Sequence, residues 1–193
     1  MTMSPLQLAF YKGAGGKNGA LQLNLQRPHF FVKSNPKLRN FDGRYVLKEW
    51  TVDKEGRPLP EAQIPRVEDM TSREGALFVE ITSATGKNIY DWENKITMAL
   101  SIEDMGKALM VLEGLEPEVN ILHDPGARTV TQGKVQKYLN ISSPKGLKAG
   151  VLVSISQKAA DGNTVKHMVP LSGDETRILA TCIRHVIPLA LAW

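Results

Sequence analysis

The chain has 193 residues, 42% of them apolar, and a formal net charge of +4, which suits one domain with a sizeable core. No run of about 18 apolar residues is present to span a membrane. The opening residues lack the basic and apolar regions of a secretory signal, so a cytoplasmic, unexported protein is expected. Cys182 is the only cysteine, which excludes an internal disulfide and a thiolate-based zinc cluster within one chain.

The charge is unevenly spread. Residues 1–48 hold eight Lys or Arg against Asp42, and residues 126–169 hold seven against Asp161. Acids gather in 49–80 and 103–124. Two basic blocks suit a polyanion-binding surface, and they equally suit solvated strand faces that keep sheet edges soluble.

In chain order, residues 11–19 (YKGAGGKNG) form a basic, glycine-rich loop without the GKS or GKT ending of a phosphate-binding P-loop. Residues 20–26 alternate, with Leu21, Leu23 and Leu25 opposite Gln22, Asn24 and Gln26, the pattern of a half-buried strand. Residues 27–33 set His29, Phe30 and Phe31 among basic side chains, as a second strand or its approach. Residues 35–72 form the least regular part, with a Pro-rich stretch, and read as an insertion into the domain.

Residues 75–83 alternate again, and a turn at Thr85-Gly86-Lys87 leads into a long strand over 89–100. Ser101 with Asp104 three residues on predicts a helix start. Ile102, Met105, Leu109 and Leu112 make its apolar stripe, and Gly114 stops it. A short strand over 119–122 follows, ending at His123-Asp124-Pro125. Residues 134–142 place Val135, Lys137, Leu139 and Ile141 on one face and Lys134, Gln136, Tyr138 and Asn140 on the other. Strands over 151–157 and 165–170 complete a meander. Ser172 and Glu175 cap a last helix that Pro188 should end or kink. There Cys182 lies four residues from Ile178 and from Val186, the spacing of a core face. The apolar tail LALAW needs cover from the core or a neighbouring subunit.

The run SREGALFVEITSATGKNIYDW (72–92), the helix SIEDMGKAL, the HDP at 123–125, GKVQKYL (133–139) and the closing helix resemble the Whirly family. The likeness covers roughly residues 72–193. YKG and KNGAL echo its KGKAAL strand with an insertion between them. The resemblance implies an α+β fold of two four-stranded antiparallel sheets packed crosswise, with two helical segments joining subunits as a homotetramer. It also implies single-stranded DNA binding with little sequence preference, no enzymatic activity and no cofactor. Without a transit peptide or acidic tail, a bacterial or phage member is expected.

For such an interface the expected phosphate contacts are Lys17, Lys33, Lys95, Lys134, Lys137 and Lys158. The expected base contacts are Tyr90, Trp92 and Tyr138, with a core role weighed against stacking for Trp92. RNA is the alternative ligand of the same surface. Two other classes are a metal-dependent nuclease built on His123 and Asp124, against which the scattered histidines stand, and a purely structural assembly protein.

Overall fold

The computed structural model describes residues 7–13, 19–32, 35–40, 57–58, 70–123, 135–143, 145, 147–159 and 161–191. In chain order its elements are β1 (Gln7–Tyr11), β2 (Gly19–Gln26), β3 (His29–Val32), β4 (Asn35–Asn40), β5 (Met70–Arg73), β6 (Ala76–Gly86), β7 (Ile89–Tyr90), β8 (Ile96–Leu100), α1 (Ile102–Leu112), β9 (Glu118–His123), β10 (Gln136–Ser142), β11 (Val151–Lys158), β12 (Thr164–Leu171) and α2 (Gly173–Ala190).

The alternating sequences pair as their periodicity demands. The first antiparallel sheet runs β1-β2-β6-β8, with the two residues of β7 folded back on the end of β6. Register places Leu21, Ile81 and Ile96 in one row and Leu23, Val79 and Met98 in the next, and all six are buried. The second sheet runs β12-β11-β10-β9. Its inner rows join Val119, Ile141, Val153 and Val169, then Ile121, Leu139, Ile155 and His167. Because successive side chains on a strand take opposite faces, each sheet keeps an outer face for other work. The α+β expectation of two antiparallel sheets and two helices therefore holds.

His167 occupies an inner row position where an apolar residue is the rule. Its ring is satisfied, since Nε2–H donates to the Asn94 carbonyl at 3.1 Å and Nδ1 accepts from the Ser83 hydroxyl at 2.7 Å. The pair of bonds fastens the second sheet to the end of β6 and to the turn before β8.

Several elements depart from the sequence expectation. The long strand over 89–100 is broken, because Asp91 caps a short 3-10 turn, Trp92–Asn94, by accepting the Asn94 N–H at 3.3 Å. The hairpin before it turns at Lys87-Asn88, with Asn88 at φ 58°. The segment 35–72 is less irregular than expected at both ends, because β4 and β5 flank β3 in a third, three-stranded sheet. Its stretch over 45–52 lies outside the described residues.

α1 starts as the capping box predicts, with Ser101 N–H donating to Asp104 Oδ2 at 3.0 Å and Asp104 N–H donating to Ser101 Oγ at 3.2 Å. Its buried stripe is Met105, Ala108, Val111 and Leu112, while Ile102 and Leu109 lie half-buried at its margins. Pro188 does not end α2. The helix runs on to Ala190, whose carbonyl accepts the Gly75 N–H at 2.9 Å. A side chain at Gly75 would meet the Gln26 carbonyl oxygen at 2.6 Å and Ala190 Cα at 2.8 Å, so this junction closes only on glycine. The core face of α2 is Leu179, Ala180, Ile183, Val186 and Ala190. Cys182 is half-buried at its rim, and Ile178, expected in the core, is 50% exposed.

Candidate nucleic-acid interface

The outer face of the first sheet carries an aromatic cluster at the β6–β7 end. Register aligns Tyr11 with Ala20 and Ala20 with Thr82, so three strands present one large ring and two small side chains in a row. Tyr90, opposite Ala84, faces the same way. The Tyr11 and Tyr90 ring centres lie 5.3 Å apart at 54°, and Tyr11 meets Trp92 edge-on at 6.5 Å and 79°, both favourable aromatic geometries. Ala20 and Thr82 are fully buried in this row, whereas Tyr11 is 56% exposed. The Tyr90 hydroxyl is buried without a hydrogen-bond partner among the described residues. Gly13 presses close, since a side chain there would meet Asn88 Oδ1 at 2.4 Å.

Beside the cluster, in the row Ala9, Gln22, Glu80, Thr97, lies a carboxylate. Glu80 is buried and accepts from Gln22 Nε2 at 3.2 Å, Asn24 Nδ2 at 3.3 Å and Thr97 Oγ1 at 3.2 Å. Lys95 Nζ completes the set at 2.8 Å. The ammonium of Lys95 thus faces a carboxylate that belongs to the same surface.

On the second sheet the alternation read from the sequence is obeyed. Tyr138 lies on the outer face between Leu122 and Ser156, with Lys166 next across the sheet. Its hydroxyl donates to Gln136 Oε1 at 3.0 Å. Leu122 and Met168 are exposed on this face, and Asn140 reaches Asn120 Oδ1 at 2.9 Å and the Glu118 carboxylate. Lys158 is exposed at the end of β11 in register with Gln136. Lys137 points the other way. It is half-buried and donates to the Thr97 carbonyl at 2.7 Å, and burial pushes its pKa down.

Of the expected site residues, Tyr90 and Trp92 come together, and Tyr138 and Lys158 share the outer face of the second sheet. Lys95 and Lys137 are turned to internal partners. Lys17, Lys33 and Lys134 lie outside the described residues. Sequence reasoning misses two exposed residues. Tyr11 reads as the start of the glycine-rich loop, although its place directly before Lys12-Gly13 marks the end of a strand. Lys166 belongs to no motif, although it alternates with Val165 and His167.

His123 has a role of its own. Its Nε2 lies 3.0 Å from Asp104 Oδ2, so it supports the cap of α1, and Asp124 lies outside the described residues. Among the described residues no three His, Cys, Asp or Glu side chains gather as a metal-holding group. Cys182 is half-buried, and burial raises its pKa, which favours the unreactive thiol. Among the described residues no helix is long and apolar enough to cross a membrane.

Fold and surfaces together define an α+β double-sheet protein whose candidate chemistry is spread over two sheet faces instead of gathered in a cleft. The chain belongs to the Whirly family: a family model described as Whirly transcription factor matches residues 60–182. It is 27% identical over 122 residues to the single-stranded DNA-binding protein WHY2, mitochondrial, of Arabidopsis thaliana, covering 63% of this chain and 50% of that protein. It is 26% identical over 123 residues to WHY1, chloroplastic, of Solanum tuberosum, covering 63% of this chain and 44% of the relative. The chain spans about half the length of these curated relatives. Among solved structures, WHY3 from Arabidopsis thaliana superposes with a TM-score of 0.70 at 20% identity, over 100% of this chain and 92% of that one. The plant transcriptional regulator PBF-2 does so with a TM-score of 0.69 at 21% identity, over 100% and 86%. These likenesses establish the fold. The curated relatives are plant organellar proteins, and they give no support to a bacterial or phage source or to a cytoplasmic location.

Proposed function

We propose that this chain binds single-stranded DNA with little dependence on sequence and works as a homotetramer that protects or organises the strand in replication, recombination or repair. The observation that carries this reading is the Tyr11–Tyr90–Trp92 cluster, with its outermost ring more than half exposed. Every base has a π-face, so stacking on such a platform is tolerant of sequence. Tyr138 with Leu122 offers a second stacking position, and Lys158 and Lys166 supply phosphate contacts at the margin of that sheet. The names of the relatives as single-stranded DNA-binding proteins support it. Binding, with no enzymatic step, cofactor or metal, accounts for these surfaces.

The test is a titration of labelled oligonucleotides of mixed sequence, as single-stranded DNA, duplex DNA and RNA of matched length. The expected result is binding to single strands of any sequence and far weaker binding to duplex, whose bases are already stacked and paired. Preference for RNA over DNA would assign the surface to RNA, and cleavage of the strand with added magnesium or manganese would reopen the nuclease reading.

A further inference from the structure

A carboxylate at the centre of a surface meant for a polyanion is out of place on charge alone, and Glu80 is buried there at no obvious gain to the core. Its four donors come from two strands and the turn between β7 and β8: Gln22 and Asn24 from β2, Thr97 from β8 and Lys95 from just before β8. The Lys95 side chain is still 37% exposed, so a passing phosphate can reach it only in competition with a partner already at 2.8 Å.

We propose that Glu80 is a positioning residue that withholds Lys95 from the phosphates and so sets how the strand lies on this face. This rests on the single-stranded DNA reading above. Glu80 leaves the amide and aromatic face locally without net positive charge, so the phosphates are held away from it. The nucleobases are thereby turned toward Tyr11 and Trp92. The surface gives up one ionic interaction and takes a fixed orientation of the strand in return. Gln22 and Asn24 are held by the same carboxylate, with one amide hydrogen each committed to it, which fixes which end of each amide faces the strand.

The test is the salt dependence of single-stranded DNA binding by Glu80→Gln, which keeps an acceptor oxygen and the side-chain shape but releases Lys95. Once the freed ammonium neutralises one more phosphate, the slope of log affinity against log salt steepens by about 0.7, or about fivefold in affinity near 0.1 M salt. The double variant E80Q/K95M is expected to return to the wild-type slope. An unchanged or shallower slope in a folded E80Q, or a steeper slope that survives in E80Q/K95M, overturns the proposal. Should E80Q melt abnormally, Lys95→Met alone decides the matter: a slope equal to wild type is expected, and one shallower by about 0.7 would show that Lys95 already serves a phosphate. A wild-type protein that binds no single strand at low salt would instead sink the underlying reading and leave the Glu80 to Lys95 pairing a structural one.

Discussion

Tyr11 and Lys158 are both exposed, yet their loss should leave different signatures. Tyr11→Ala removes a ring and no charge, so it is expected to cost roughly 1–3 kcal/mol of binding per stacked base while leaving the salt slope unchanged. Lys158→Ala, if that side chain serves a phosphate, makes the slope shallower by about 0.7 with a uniform loss across sequences. Titrations of both at several salt concentrations separate them, and a Lys158→Ala slope equal to wild type removes that end of β11 from the interface. At this scale the sequence shows side-chain type and face, but not partners. Tyr90 and Trp92 are legible as aromatics in a β-forming run. The inward direction of Lys137 is implicit in its alternation with Leu139 and Ile141, both of which are buried. The pairing of Lys95 with Glu80 is not legible, because it depends on the 3-10 turn that interrupts the chain between β7 and β8.

Among the elements, α1 is legible because its start is a local device: Ser101 and Asp104 are three residues apart and satisfy each other's backbone. Asp104 also shows what a longer-range partner adds. Burial works against its ionisation, but the hydrogen bonds from His123 and Ser101 outweigh this and hold its carboxyl below the ordinary value of 3.8. A carboxyl depressed on folding contributes stability above its unfolded pKa and loses that contribution as pH falls through the folded value. Melting temperature measured against pH should therefore fall below about pH 4 in the wild type. Asp104→Asn should flatten that limb and lower stability at neutral pH by about 1 kcal/mol, the usual value of a helix cap. The long strand and the proline stop fail for a common reason. Propensity rules do not register a side-chain cap such as Asp91, nor a helix end held by a distant backbone group such as Gly75. The segment 35–72 yields a further prediction. β4 and β5 both run antiparallel to β3, so they are parallel to each other and need a crossover from the Asn40 end to the Met70 end. Deleting residues 55–69 leaves residues 41–54 for it, close to the dozen or so that a parallel crossover needs, and removes Arg57 and Pro58, both exposed. A single cooperative melt in the shortened protein is expected, and insoluble product would show that the removed residues pack against the core.

For the whole molecule, the two basic blocks of sequence fall on β1 through β4 and on β10 through β12, so charge follows strands of all three sheets. Assembly is the property a single chain carries least openly, and here it can be argued from one groove. Leu8, Ile178 and Cys182 line an open, largely apolar depression beside α2, with Arg177 and His185 at its edge. Ile178 is 50% exposed on a helix whose opposite side is full of core residues. A branched apolar side chain so placed is unfavourable in a monomer and ordinary where two copies of a helix meet about a symmetry axis. The homotetramer proposed above would cover it. Ile178→Asp sets a charge where the monomer already meets water, so the monomer fold should be little affected, as for surface substitutions generally. In a tetramer it would take that charge out of water at the contact, at a cost of several kcal/mol per copy. The expected outcome, by mass measured in solution at micromolar concentration, is four chains for the wild type and one for Ile178→Asp, with the melting curve of the variant still cooperative. Adding a short single strand to each then tests whether binding needs the assembly: a variant that runs as a monomer yet binds with wild-type affinity would confine the interface to the faces of one subunit, and a wild type that is itself monomeric would sink the tetramer.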